Sequence, residues 1–335
     1  MAESQLETYE MELVPCTLCG GESFTDCITG AKDLLNHLDG EFNVMRCDNC
    51  DFVLTNPRPT RETIGYFYPD STGYYQPEAI TPKTTMKERI FQSLLANSHG
   101  YPLPRLPKIV DALVGWYWRS KIRLNHFPVA WRPEARLMDI GCAWGRYLKI
   151  MQGYGWDVHG LEFNQQAVDY ARNELGLTNV RQGMLEDHAY DDGFFDVVHM
   201  SMVLEHLHEP QDALAKVARM IKPDGQVILS VPNFASYERE KFDRYWYALQ
   251  VPVHLNHFTP VTLRQVLDDV GLRATQIIHH KTDRDFISSA RNAGNERLAS
   301  ILKCSPIRNI LLRAFVSILA RRGRSGRMTV YACKK

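Results

Sequence analysis

The chain has 335 residues, of which 44% are hydrophobic and 23% are charged, and its 39 basic and 39 acidic residues cancel. This composition excludes a disordered or fibrous protein, and a neutral chain lacks the broad positive field that attracts nucleic acid. The first fifteen residues carry four glutamates and no lysine or arginine, and no apolar run approaches the length of a membrane span. We therefore expect a cytoplasmic protein, with peripheral contact at the inner membrane face as an open alternative.

Residues 1–56 are predicted to form a zinc ribbon. Two CxxC pairs, "CTLC" and "CDNC", are separated by 27 residues, which is typical of a tetrahedral thiolate zinc site. The predicted ligands are Cys16, Cys19, Cys47 and Cys50. Gly20 permits the tight turn after the first pair, whereas Asp51 occupies that position after the second. If one pair is false, Cys27 or His37 is the substitute ligand. Four thiolates leave no open coordination position, so the zinc is expected to be structural.

Residues 57–132 are predicted to form an aromatic-rich helical bridge. The prolines of "NPRPT" predict the end of the ribbon, because proline lacks the backbone N–H that strands and helices need. Aromatic residues at helical spacing, such as Trp116 and Trp118, favour core packing. The tyrosines of Gly73–Tyr75 lie in a predicted loop and are candidates for part of a substrate lid.

Strand and helix patterns alternate through residues 133–335. The predicted strands lie at about 137–140, 158–161, 180, 196–200, 227–231, 274–279 and 328–332. The predicted helices lie at about 146–154, 165–175, 212–221 and 262–270. This alternation predicts a doubly wound, mostly parallel seven-stranded α/β sheet. A basic, partly helical insertion at about 281–326 separates the last two strands and is too long for an ordinary connection.

The stretch "LMDIGCAWG" predicts a strand that enters a helix through a glycine turn, at the sheet edge where ligands bind. Counted from Gly141, the glycine positions of a dinucleotide fingerprint hold Ala143 and Arg146, and the spacing of a phosphate loop is absent. Asp139 would repel a pyrophosphate but attract a cation. Glu162 follows the second strand, where an acid takes the ribose hydroxyls. A phosphate-free adenosine that carries positive charge is S-adenosylmethionine (SAM). The alternative is that these acids are a helix cap and a solvated strand end.

From about Leu137 onward the chain resembles class I SAM-dependent methyltransferases. "LMDIGCAWG", "GLEFN", "GMLEDH", "FFDVVHMSMVLEHL" and "IKPDGQVILSVPN" are similar to that family's successive motifs, with Ala143 in place of the middle glycine. The resemblance implies a cofactor site formed by Asp139, Gly141, Cys142, Gly145, Glu162, Phe163, Leu185, Glu186, Met200 and Ser201. Of these, Leu185 and Glu186 would face the adenine, and Met200 and Ser201 would flank the sulfonium. A ribbon, an aromatic bridge and this fold together resemble methyltransferases of polysaccharide and natural-product biosynthesis clusters.

Two histidine clusters are candidates for the catalytic base that a hydroxyl acceptor benefits from. "MVLEHLHEP" places Glu205, His206 and His208 after the fourth strand, and "VPVHLNHFTP" places His254 and His257 after the fifth. Hydrogen-bonded packing is the alternative for each histidine. "EHL" also resembles ubiquinone-biosynthesis O-methyltransferases, which leaves a metal role for Glu205, with Mg²⁺ as the ion, open. The HxxH spacing lacks an evident third ligand.

The C-terminal insertion contains a segment, residues 305–324, that pairs an apolar stripe with cationic residues. Such a helix is typical of peripheral contact with an anionic membrane. Core packing or a homodimer interface explains the stripe as well. Aromatic residues after the fifth strand, at Tyr237 and 245–247, are candidates for a partial lid over the acceptor, with core packing as the alternative.

The expected function is SAM-dependent O-methylation of a small-molecule hydroxyl, on a sugar or glycoconjugate. Carbon-methylation of a sugar, RNA methylation and a non-catalytic SAM-binding scaffold are the alternatives. The ribbon contains only two basic residues, Lys32 and Arg46, so no nucleic-acid partner is expected.

Overall fold

The computed structural model describes residues 9–68, 85–107, 109 and 129–335. The lid candidate Gly73–Tyr75 and the tryptophans Trp116 and Trp118 lie outside these residues. In chain order the strands are β1 (Met11–Glu12), β2 (Phe24–Ala31), β3 (Phe42–Cys47), β4 (Val53–Thr55), β5 (Arg58–Pro59), β6 (Arg136–Ile140), β7 (Asp157–Glu162), β8 (Val180–Gln182), β9 (Phe195–Ser201), β10 (Ile221–Pro232), β11 (Asn256–His257), β12 (Leu272–His279) and β13 (Arg327–Lys334). The α-helices are α1 (Met86–His99), α2 (Arg146–Gly153), α3 (Gln165–Asn173), α4 (Pro210–Met220), α5 (Tyr237–Phe242), α6 (Pro260–Asp269), α7 (Arg284–Asn292), α8 (Glu296–Lys303) and α9 (Arg313–Arg321).

The largest sheet has the strand order β12-β13-β10-β9-β6-β7-β8. Neighbours from β10 to β8 run parallel, whereas β13 is antiparallel to both β10 and β12. Strand β9 is buried up to its last residue, as expected of a parallel strand covered on both faces. The seven predicted strands and four predicted helices are confirmed, and the fifth strand begins earlier, at Ile221. The predicted sheet is thus present as a mixed, mostly parallel sheet.

The order of the strands reverses at β6. Strands β7 and β8 follow on one side of it, and β9 and β10 lie on the other. In doubly wound sheets the ligand crevice lies at the carboxyl ends of the strands beside such a reversal. The glycine turn that follows β6 therefore lies where a ligand is expected.

The insertion between β12 and β13 packs through two groups of ion pairs. Arg327 donates two hydrogen bonds, of 2.8 and 3.1 Å, to the fully buried carboxylate of Asp285 on α7. Arg308 and Arg313 both contact Asp283. Removing one partner of a buried pair is costly, so the pair of Arg327 and Asp285 fixes α7 against β13, whereas the Asp283 pairs join two parts of the insertion to each other. Among the described residues, no helix is both long and apolar enough to cross a membrane.

The ribbon shares a sheet with the rest of the chain. Its order is β11-β4-β3-β2, and β11 comes from the loop after β10. The backbone N–H of Thr55 donates to Leu255 O at 3.0 Å, and the Thr55 hydroxyl donates to His254 O at 2.7 Å. Beyond the predicted end of the ribbon, Arg58–Pro59 still pairs with Met11–Glu12, because a short edge pairing tolerates the missing proline donor. The ribbon thus holds the loop that carries the second histidine cluster.

Candidate functional site

The turn after β6 requires glycine at two positions. Gly141 has φ +72° and Gly145 has φ +77°, both in the left-handed region that side chains disfavour. A Cβ on Gly141 would collide with Val203, and one on Gly145 would lie 2.7 Å from Leu177 Cδ1. Any larger residue at either position would therefore displace its neighbours as well as strain the backbone.

Ala143 occupies the middle of this turn with φ +47°, although it is not glycine. A left-handed conformation costs an L-residue about 1–2 kcal/mol. We expect Ala143→Gly to raise the free energy of unfolding by about 1 kcal/mol, because glycine relieves this strain. Chemical denaturation measures the change. In the matched control, Ala215→Gly in the interior of α4, we expect a loss of about 1 kcal/mol. A loss of stability in Ala143→Gly as well would contradict the strain at Ala143.

Two predicted carboxylates lie at the carboxyl ends of adjacent strands, and both are buried. Asp139 Oδ1 lies 2.7 Å from Nδ1 of His199, its neighbour across the β6–β9 pair. Glu162 accepts hydrogen bonds from the backbone N–H groups of Ala143, at 2.9 Å, and Asn164, at 3.0 Å. Burial raises the pKa of Glu162. Glu162 therefore fixes the glycine turn from the end of β7.

On the predicted adenine side, the exposed apolar side chains are not those of Leu185 and Glu186, which the sequence analysis had placed against the adenine. Phe163 and Met184 are each 44% exposed, at the ends of the paired strands β7 and β8. Leu185 is buried, and Glu186 lies at the surface, 3.6 Å from Arg61. The apolar surface available to a flat ring comes from Phe163 and from Met184, which the sequence analysis did not identify.

Three of the implied cofactor residues have their side chains in the core. Met200 is 1% exposed, Cys142 is 5% exposed and Leu185 is 3% exposed. Met200 is buried because β9 is covered on both faces, and its place beside the sulfonium stays a prediction. Ser201, the next residue, is partly exposed at the strand end. Any contact that these three buried residues make with a bound cofactor is therefore made by their backbone atoms.

Glu205, His206 and His254 form one cluster, in which a donor atom of each lies within 4.8 Å of the others. Glu205 is fully buried, and no described residue hydrogen-bonds to either carboxylate oxygen. Burial raises the pKa of Glu205 to about 8 and lowers the pKa of His206 to about 4. The cluster therefore joins an unpartnered buried carboxyl group to two imidazoles that burial keeps neutral.

Hydrogen bonds orient both rings of this cluster. His254 Nδ1 lies 3.0 Å from Ala248 O, and His206 Nδ1 lies 2.9 Å from Val253 O. A carbonyl oxygen only accepts, so each Nδ1 carries the proton and each Nε2 has a free lone pair. The Tyr68 hydroxyl also contacts His206 Nδ1, at 2.8 Å, and its ring lies 6.0 Å from Phe163. Tyr68 was missed because only its place in an aromatic-rich run pointed to it.

His257 and His208 lie outside the cluster. Nε2 of His257 is 3.0 Å from the Thr55 hydroxyl, in the strand that pairs with the ribbon. Nε2 of His208 is 3.1 Å from Pro59 O. His257 is buried and has a partner in the ribbon, which favours a structural position, and its catalytic role stays a prediction.

The four predicted zinc ligands meet at one point. The Sγ atoms of Cys16 and Cys50 are 3.5 Å apart, as are those of Cys19 and Cys47, and all four lie within 4.8 Å of one another. Tetrahedral zinc with bonds of about 2.3 Å places its sulfurs about 3.8 Å apart, so the four positions fit zinc. Gly20 and Asp51 both adopt left-handed φ angles, of +71° and +59°, so that the two CxxC turns match. Neither Cys27 nor His37 belongs to this group.

Comparison with known proteins identifies residues 117–277 as a match to the family model described as a methyltransferase domain. The chain is 31% identical over 103 residues to the ubiquinone biosynthesis O-methyltransferase of Vibrio parahaemolyticus, which covers 29% of this chain and 44% of that relative. The protein of the same name from Vibrio campbellii is 29% identical over 176 residues, which covers 47% of this chain and 72% of that relative. Thus the chain spans less than half the length of the first of these relatives. A solved SAM-dependent methyltransferase from Archaeoglobus fulgidus is 20% identical, with a TM-score of 0.41, and covers 72% of this chain and 98% of that structure.

Proposed function

We propose that the SAM-dependent methyltransferase domain of this chain transfers the methyl group of SAM to a hydroxyl oxygen of a small molecule. The observation that carries the proposal is the pair of buried carboxylates, Asp139 and Glu162, on either side of a glycine turn at the reversal of the strand order. Negative charge there favours a cation and disfavours phosphate. SAM is a cationic adenosine without phosphate.

The proposed cofactor site lies along the carboxyl ends of β6, β7 and β9. The turn at Gly141 and Gly145 brings backbone against the methionine part of SAM, and Asp139 offers its charge to that part. Glu162 accepts from the ribose hydroxyls, while Phe163 packs against the adenine. The backbone of this edge is held in place before the ligand arrives, which lowers the entropic cost of binding.

Methyl transfer requires little of the protein beyond positioning, because the sulfonium already activates the methyl carbon. The acceptor oxygen must lie in line with the methyl–sulfur bond, and its proton must leave. We assign proton acceptance to Nε2 of His206, since its Nδ1–H is held by Val253 O and Tyr68. His206 is neutral at physiological pH because burial lowers its pKa to about 4.

The same cluster is a candidate divalent-metal site. Its donors are one carboxylate and two imidazoles, whereas Mg²⁺ prefers oxygen ligands, so Mg²⁺ does not fit. Zn²⁺ or a similar ion suits Glu205, His206 and His254, and would occupy the lone pair that proton acceptance needs. The number of metal ions bound per purified chain separates the two roles. One ion, held by the ribbon, leaves His206 free to accept a proton. A second ion would occupy the cluster of Glu205, His206 and His254.

In the ribbon, the four thiolates would hold Zn²⁺ in a closed structural shell.

The proposed acceptor is a hydroxylated sugar or glycoconjugate. The relatives named ubiquinone biosynthesis O-methyltransferase support transfer to oxygen, and they make a phenolic hydroxyl the second candidate. Of the lid candidates, Trp246 is buried in the core, whereas Tyr245 is 42% exposed. Tyr237 lies against Phe286 and Phe315. Exposed aromatic faces pack well on either kind of ring.

The experiment is methyl transfer from methyl-labelled SAM to a panel of sugar, glycoconjugate and phenolic acceptors. We expect label in an ether, identified by mass spectrometry and NMR, with one demethylated cofactor formed per methyl transferred. Label on carbon would replace the proposal with carbon-methylation. SAM binding without transfer to any acceptor in the panel would favour a non-catalytic scaffold.

A further inference from the structure

A short π-helix, Ile307–Leu312, runs directly into α9, and the helical segment of residues 307–321 has both buried and exposed apolar residues. Leu312, Val316 and Leu319 are buried against the rest of the chain. Four large hydrophobic residues of the segment are exposed, and we call them the outer face: Ile310, 67% exposed, Leu311, 65%, Phe315, 38%, and Ile318, 46%. Large apolar side chains grouped on one exposed helix face are typical of an interaction surface.

The charge around the outer face is strongly positive. Residues 281–327 contain eleven lysines and arginines against three acids. All three acids form ion pairs within the insertion: Asp283 with Arg308 and Arg313, Asp285 with Arg327, and Glu296 with Arg291. Within the described part of the chain, no acid lies within ion-pair distance of Lys303, Arg321 or Arg322, which are exposed or half-exposed near the outer face.

The outer face borders the proposed acceptor site. The Phe315 ring lies 5.5 Å from the ring of Tyr237, which begins α5 just after the carboxyl end of β10. The Tyr237 N–H donates to Arg324 O at 2.9 Å. Carboxyl ends of parallel strands meet at one edge of a sheet, so Tyr237 follows β10 at the edge that carries the cofactor turn and the histidine cluster, and Phe315 connects the outer face to that edge.

We propose that the outer face docks the protein on an anionic lipid bilayer, with the helix lying in the plane of the interface. The segment presents exposed apolar residues flanked by arginines, which is the pattern of an interfacial helix. Charge decides between a bilayer and a second copy of the chain. A two-fold dimer through this face would bring the same unpaired cations together, whereas anionic headgroups neutralise them.

Docking through the outer face also indicates the chemical class of the acceptor. This inference about the acceptor rests on the proposed function. An enzyme held at a bilayer by a surface next to its acceptor site meets molecules anchored in that bilayer. The acceptor is then amphiphilic: its hydroxylated head enters the site while its hydrocarbon part stays in the lipid.

Vesicle flotation of the zinc-loaded full chain tests the docking. The vesicles are phosphatidylcholine alone, or phosphatidylcholine with about 30% phosphatidylglycerol. We expect at least about tenfold more protein on the anionic vesicles, and less when NaCl rises from about 0.1 to about 0.5 M. Ile310→Glu with Leu311→Glu should lose this binding. The matched control, Leu13→Glu with Val261→Glu, changes two equally exposed apolar residues elsewhere and should keep it.

Failure of the docking and failure of the proposed function give separate results. Flotation needs neither SAM nor turnover, so a chain that floats but binds no SAM overturns only the function. Equal flotation of the two double variants, or none for the unaltered chain, overturns the docking. A third outcome is that the unaltered chain self-associates but does not bind vesicles. If Ile310→Glu with Leu311→Glu abolishes that self-association, the outer face is a dimer interface instead. If the unaltered chain docks, we expect Ile310→Glu with Leu311→Glu to lose methyl transfer only to acceptors embedded in vesicles.

Discussion

Replacing His206 by alanine is expected to lower kcat by about 10²- to 10⁴-fold, while the Kd of SAM changes by less than about twofold. The reason is the proposed assignment, in which His206 follows β9 at the sheet edge and accepts the acceptor's proton at Nε2, while other residues hold SAM. Single-turnover methyl transfer and calorimetry measure the two effects. A loss of SAM affinity in proportion to the rate would place His206 in the cofactor site instead.

His257→Gln is the matched control for His206→Ala. Glutamine can keep a hydrogen bond to Thr55, so we expect kcat within about threefold of the unaltered chain. Full activity of His206→Ala, or a large loss in His257→Gln, would contradict the assignment of the base. Counting metal ions in the same preparations separates proton acceptance from metal binding by the cluster.

Replacing Cys47 by serine is expected to abolish the zinc binding proposed for the ribbon, to lower the melting temperature by more than about 10 °C and to reduce activity. Cys47 is fully buried in the same core as Phe52 and Phe258, so loss of the metal disturbs more than the ribbon. The ribbon also holds His254 through Thr55, so the histidine cluster should lose its position. Zinc content, thermal unfolding and methyl transfer measure the three effects.

Cys304→Ser is the control for the ribbon, because Cys304 is exposed and distant in sequence from the CxxC pairs. It should keep one zinc per chain and an unchanged melting temperature. A Cys47→Ser chain that still binds zinc and unfolds at the original temperature would contradict the four-thiolate site.

The strands of the large sheet were predictable because burial on both faces leaves a local hydrophobic signal. Strand β9, for example, appears in the sequence as "FDVVHMS" between polar turns. Strand β11 was not predicted. It is two residues long, and its partner β4 lies about two hundred positions away, so no local pattern encodes the pairing. The position of His257 follows from that pairing and was missed for the same reason.

The sequence predicted those parts of the candidate site whose positions are fixed by the backbone of a turn or of a strand end. Gly141, Gly145, Asp139 and Glu162 lie together because a turn and two adjacent strand ends bring them there. Motif position alone did not predict that the Met200 side chain is buried, because burial depends on the helices that cover the assembled sheet. The contact between Asp139 and His199 follows from the register of β6 and β9, which only the assembled sheet supplies.

The affinity of the zinc-loaded chain for SAM tests the central claim most directly. We predict one SAM per chain by calorimetry, with a Kd of about 1–100 μM, competition by the demethylated product, and affinity at least about tenfold weaker in Glu162→Gln. We also predict no measurable binding of NAD, because its pyrophosphate would face Asp139. Absence of heat with both SAM and its product, or binding of NAD in their place, would contradict the account.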